Sequence, residues 1–288
     1  MQLLDISKWF ARYLSFAGWS HDTTKEKKNA PTIIFTLPDG RKLAAEDLHG
    51  HSGMMTVRQG KLLEVTGNIR YEIIGTDNVP TAAASLHQRA REAGRHGDYK
   101  TALALLDQAS ELAPAWPYPV YDGAFTYLLM KDFDSARTYY RRTLELSPRG
   151  FFTAITALDT LTREQNGDLP VGTYLAFLSL EWMKDKGQKD SAIRELVKQI
   201  PQFAPAWKEL VSLCDDDVER LTAIENGLAA HPDVDTKGIL NINKALVLNL
   251  RGDHAAAVQL LGELALDPAS TIKTEHSAKA ALSILMLR

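Results

Sequence analysis

From about residue 81 onward the apolar positions recur at helical spacing, whereas between about residues 31 and 75 they fall in short strand-like runs. The helical part also repeats itself. Residues 97–114 read GDYKTALALLDQASELAP, and residues 131–148 read KDFDSARTYYRRTLELSP, an offset of 34. Each segment opens on a short polar turn, places a small residue five positions later (Ala102, Ala136), and runs as a helix to a proline (Pro114, Pro148). Residues 252–268, GDHAAAVQLLGELALDP, follow the same order with Ala257 and Pro268. Two antiparallel helices approach closely only where side chains are short, so a recurring small position predicts stacked helical hairpins.

This pattern resembles the tetratricopeptide repeat, a helix–turn–helix of 34 residues. The first unit offers Ala90, Ala102, Ala109 and Pro114; the second offers Ala124, Ala136 and Pro148, with Thr143 where alanine is usual. Looser units offer Leu180, Ala192 and Pro201, then Trp207, Leu210, Ala223, Ala230 and Pro232, then Ala245, Ala257 and Pro268. Between the second and third units the register is broken by RGFFTAITALDTLTREQNGDLP. Phe152, Ile155, Leu158 and Leu161 predict an additional helix there, closed by Asn166-Gly167 and Pro170. The tail TIKTEHSAKAALSILMLR predicts a last helix that folds back on the final repeat or serves as a homodimer contact. The fold expected is mainly α: an α-solenoid of about five hairpins over residues 81–288, with an extra helix and a C-terminal capping helix.

Residues 1–80 have another texture. ISKWFARYLSFAGW predicts an amphipathic helix that docks on the body, and HDTTKEKKNAP reads as a linker. TIIFTLPDGRKL and KLLEVTGNIRYEIIG predict two hairpins, hence a small α+β module.

Composition narrows the function. Hydrophobic residues make up 45% and charged residues 24% of the 288, with net charge −3, so no basic field points to nucleic acid. No run of about 18 apolar residues predicts a membrane span. A single cysteine, Cys214, fits a reducing, cytoplasmic setting. It falls on an apolar helix side before Asp215-Asp216-Asp217, so it is expected to be a core thiol of raised pKa. Asp216 is expected to cap the next helix. No phosphate loop, nucleophile elbow or zinc pattern occurs, and neither a cofactor nor a catalytic residue is expected. His49 and His51, beside Glu46 and Asp47, are weak metal candidates. They support an alternative in which residues 31–80 form a metal-binding or enzymatic module with the solenoid as its recognition arm.

The resemblance implies that ligands lie in the concave groove of the first helices of each hairpin. Register places Arg91, Tyr118, Tyr121, Phe125, Tyr174, Phe177, Glu181 and Lys208 there, with His87, Ile239, Ile242 and Leu246. The expected function is a non-enzymatic scaffold that binds a protein partner, as a peptide segment or helix. The rings would supply contact area, and Arg91 and Lys208 would attract acidic groups. The same face can instead be filled by residues 151–166 or by the N-terminal module. Lys and Asn positions of the family's carboxylate clamp are occupied here by His87, Gln88, Arg91, Tyr121, Asp122 and Phe125, so that specificity is not implied.

Overall fold

A computed structural model describes four strands as backbone, and residues 79–288 apart from 181, 182, 184, 287 and 288. The strands are β1 (Ile33–Thr36), β2 (Lys42–Ala45), β3 (Ser52–Thr56) and β4 (Ile69–Glu72), in the order β2-β1-β3-β4. β1 pairs antiparallel with β2 and parallel with β3, and β3 pairs antiparallel with β4. The expected N-terminal helix and the strand expected at 61–65 lie outside the described residues.

Twelve helices follow among the described residues: α1 (Thr81–Arg95), α2 (Tyr99–Leu112), α3 (Pro117–Leu129), α4 (Phe133–Leu146), α5 (Phe152–Asn166), α6 (Thr173–Leu180), α7 (Lys186–Gln199), α8 (Ala204–Val211), α9 (Asp217–Ala229), α10 (Val234–Leu250), α11 (His254–Leu266) and α12 (Ile272–Met286). The chain divides into two compact units. Unit one comprises Met1–Val57 and Ile69–Pro148; unit two comprises Arg58–Asn68 and Arg149–Arg288.

In unit one, α1 packs on α2 and α3 on α4. The polar turn of the repeat explains both hairpins. Gly97 (φ 78°) and Lys131 (φ 62°) take the left-handed conformation that closes the first helix. The next residue, Asp98 or Asp132, caps the second helix by accepting the N–H of Thr101 or Ser135 at 3.1 Å. Unit two repeats the device at Gly252 (φ 90°) and Asp253, which accepts the N–H of Ala256 at 3.2 Å. Most of the small residues behave as the spacing predicts: Ala90, Ala102, Ala109, Ala124, Ala136, Ala223, Ala245 and Ala257 are buried, whereas Ala192 of the looser third unit is half-buried. Thr143 is buried too, its hydroxyl donating to the carbonyl of Tyr139 at 2.9 Å.

In unit two, α8 pairs with α9 and α10 with α11, while α12 packs on α11 and α10. α12 therefore folds back on the last repeat, and residues 273–278 are all buried. Ala278, Ala280, Ala281 and Leu285 are buried within the chain. α5 is the expected extra helix, ended by Gly167 at φ 81°. Its most buried face is not the Phe152/Ile155/Leu158 stripe, which is half-buried. Ala154, Ala157 and Leu161, with Thr156 and Thr160, form that face, because close helix contact selects short side chains. α5 packs on α6 and on α10, far along the chain.

Candidate functional site

The concave-register residues fall into the two units: Arg91, Tyr118, Tyr121 and Phe125 in unit one, and Tyr174, Phe177 and Lys208 in unit two. Glu181, His49 and His51 lie outside the residues whose side chains are described.

α1 and α3 bring a charged cluster into the interior of unit one. The Asp122 carboxylate lies 2.8 Å from His87 Nε2 and 3.2 Å from Arg91 Nε. The His87 ring meets Trp116 edge-on at 4.8 Å and Tyr118 at 6.4 Å. Arg91 was expected as a rim cation for acidic partners. Instead it is buried and its charge is answered by Asp122. Burial pushes the Asp122 carboxyl up, but Arg91 and then the His87 bond outweigh burial and hold it below its ordinary value. Burial, and then Asp122, raise the Tyr118 phenol, so it stays neutral. The register alone did not mark Asp122 as the partner of His87 and Arg91. Its signal was a lone carboxylate amid the apolar residues of PVYDGAFTYLL.

The aromatic residues are closely packed. Tyr121 is 5% exposed and Phe125 is 2% exposed. The Tyr121 ring packs edge-on against Tyr140 of α4 at 5.9 Å, so it contributes to the hairpin interior. Tyr118 is half-buried. In unit two, Phe177 packs edge-on against Phe203 at 5.2 Å, and both it and Tyr174 are buried. Glu164 at the end of α5 fixes the start of α6, accepting the N–H groups of Gly172 (2.8 Å) and Tyr174 (2.7 Å). Lys208 is largely covered, with its ammonium 3.7 Å from Glu209. Ile239, Ile242 and Leu246 are buried as well. Most described residues of the concave register are thus buried within their own unit, with Tyr118 and Lys208 half-buried.

Cys214 is buried, with its thiol donating to the carbonyl of Leu210 at 3.3 Å; burial, then Glu219, push it up to about 11. Asp216 caps α9 as expected, accepting the N–H groups of Val218 (3.0 Å) and Glu219 (2.8 Å). Among the described residues no group of three or more His, Cys, Asp or Glu is arranged to hold a metal ion. No described helix is long and apolar enough to cross a membrane.

No family model and no curated protein matches the chain. Solved structures do. MamA (residue 41 to end) from Desulfovibrio magneticus RS-1 is 15% identical over 64% of this chain and 94% of its own, with a TM-score of 0.31. A thermophilic tetratricopeptide repeat protein from Thermus thermophilus is 15% identical over 70% of this chain and 100% of its own, at 0.30. YrrB, described as a tetratricopeptide repeat protein with an unusual peptide-binding site, is 14% identical over 70% of this chain and 91% of its own, also at 0.30. In its 34-residue repeat, its buried alanines and its capped helical hairpins, this chain is an α-helical repeat protein similar to the tetratricopeptide repeat proteins.

Proposed function

We propose that the chain is a non-enzymatic protein-interaction scaffold. It takes a peptide segment or partner helix on the concave-register residues Tyr118, Tyr121, Phe125, Tyr174 and Phe177. The supporting observation is that two first helices, α3 and α6, carry large rings in the concave register of the repeat. Rings of this kind give large contact area at low entropic cost. Four of the five are buried here, so partner capture requires a rearrangement that uncovers them. The partner's binding energy then offsets that opening, which lowers affinity and makes capture conditional.

Burial also decides how the proposal is tested. Tyr121→Ala and Phe177→Ala would each cost about 3–5 kcal/mol as core truncations, so lost capture would only report unfolding. Tyr118, half-buried, is the better probe. Full-length chain is used to capture partners from a native lysate, with Tyr118→Ala and Lys208→Ala compared at matched melting temperature. Reduced capture of the same proteins is expected. Unchanged capture by both folded variants would remove the groove from the account and leave the scaffold acting through another face.

A further inference from the structure

Unit two carries a helix that its repeat does not call for. α5 falls in the stretch that breaks the 34-residue register, yet it lies against the first helices of the hairpins that follow. It packs on α6 and α10, and the Tyr174 hydroxyl of α6 lies 3.5 Å from the Thr153 carbonyl. Near the end of α5, Arg163 donates to the Gln202 carbonyl at 2.9 Å, just before α8, and the Gln202 amide donates back to the Asp168 carbonyl at 3.4 Å. The start of α5 is clasped by α12. Arg149 donates to the Ser270 carbonyl at 2.7 Å and pairs with Glu275, while its own carbonyl accepts the N–H of Ile272 at 2.9 Å. The Lys273 ammonium lies 4.2 Å from the Phe152 ring centroid and 3.2 Å from the Asp235 carboxylate of α10. α12 stands in the place of a further first helix, since it packs on both α10 and α11 as α10 packs on both α8 and α9. α5 therefore runs along the first-helix side of unit two.

The middle and the ends of this contact differ in kind. The buried face of α5 is built of Ala154, Ala157 and Leu161 with Thr156 and Thr160. The Thr160 hydroxyl donates to the Thr156 carbonyl at 2.7 Å, so it is satisfied within its own helix and the middle is fitted by shape. Directional bonds lie at the ends, where Arg149 and Arg163 reach backbone carbonyls and one carboxylate. Charge-assisted bonds of this kind fix the orientation and register of the helix they hold.

We propose that α5 is an internal ligand: it occupies the first-helix face of unit two, and a partner helix of the same chemistry takes that face when α5 lifts. The partner so specified is a helix of about four turns, with alanine- or threonine-sized residues along one side, an arginine at each end and an aromatic ring near its start. This rests on the reading of the concave register as the binding face and names the kind of partner for its unit-two part. Being joined to the face it covers, α5 competes at an effective concentration of roughly millimolar. A free helix therefore binds the closed chain weakly, in proportion to the open fraction.

The test uses the full chain and a fluorescent peptide of residues 149–167. Arg163→Ala in the chain removes a charged donor from the clasp and leaves the peptide's own arginines intact. It should raise the apparent affinity for the peptide roughly 10- to 100-fold over wild type. A peptide carrying both Arg149→Gln and Arg163→Gln should lose that gain. Hydrogen exchange of the wild-type chain needs no variant: the α5 amides should exchange faster than those of α10 and α11, because α5 lifts before the unit unfolds. Equal peptide affinity of the wild type and a folded Arg163→Ala, or α5 amides protected as long as those of α10 and α11, overturns the proposal. Concentration-dependent dimers of Arg163→Ala that take no peptide also overturn it, since the face then holds α5 of a second copy. Such a failure with capture still reduced by Tyr118→Ala removes α5 as a ligand and leaves the concave register standing as the binding face.

Discussion

Gly238 tests the packing of α10 against α12 at a single atom. It lies in α10 against Thr274 of α12. A Cβ built there would fall 2.5 Å from Thr274 Cγ2 and 2.9 Å from Thr274 Cβ, and closer still to Oγ1. Thr274 has little room to yield. It is fully buried, its N–H donates to the Thr271 hydroxyl at 3.1 Å, and its Oγ1 lies 3.1 Å from that same hydroxyl. Its side chain is β-branched and stiff at χ1, so the helices rather than the rotamer must move. Overpacking of this kind costs roughly 1–3 kcal/mol, and three contacts this short place Gly238→Ala at the upper end. Alanine returns about 1 kcal/mol through its better helix propensity. The net expectation is a loss of about 2 kcal/mol, read as a lower urea midpoint at unchanged m-value. Thr274→Ala removes two of the three obstructing atoms. In the double variant the two costs should fall short of additive by at least about 1 kcal/mol. A Gly238→Ala protein more stable than wild type would mean that helix propensity alone acts at this position and that the α10–α12 contact is looser than described.

Three further predictions address the turns, the unit-one cluster and the thiol. Gly252 is left-handed with open space around it, so Gly252→Ala should cost about 1 kcal/mol from backbone strain alone, and a neutral result in urea melts would contradict the turn geometry. Asp122→Ala strands the buried Arg91 guanidinium and should lower unit-one stability by about 3–5 kcal/mol in chemical denaturation, whereas a loss below about 1 kcal/mol would mean that water reaches the cluster. Cys214 should resist iodoacetamide at about pH 8 in the folded chain and react at once in denaturant, because its thiolate forms only near about pH 11; rapid native labelling would refute its burial.

Much of the architecture was legible along the chain because it is local. Gly97-Asp98, Lys131-Asp132 and Gly252-Asp253 are neighbours in sequence, and a left-handed residue followed by a capping aspartate needs nothing from the rest of the fold. The same holds for the Asn166-Gly167 stop, the Asp216 cap and the recurrence of Ala102 as Ala136 at 34 residues. Helical periodicity also marks which side of α3 carries Tyr118, Tyr121 and Phe125. It cannot say what lies against that side. Burial of those rings, the pairing of Arg91 with Asp122 from one helix to another, and the docking of α5 on α10 all join groups distant in sequence. No spacing rule links Arg149 to Glu275, because their encounter depends on where a whole helix packs. Repeat, turns and caps are thus written in short-range chemistry and can be read from the residues alone. That the rings of the concave register are buried follows only from the packed chain, because removing large apolar rings from water is favourable whichever helix they pack against.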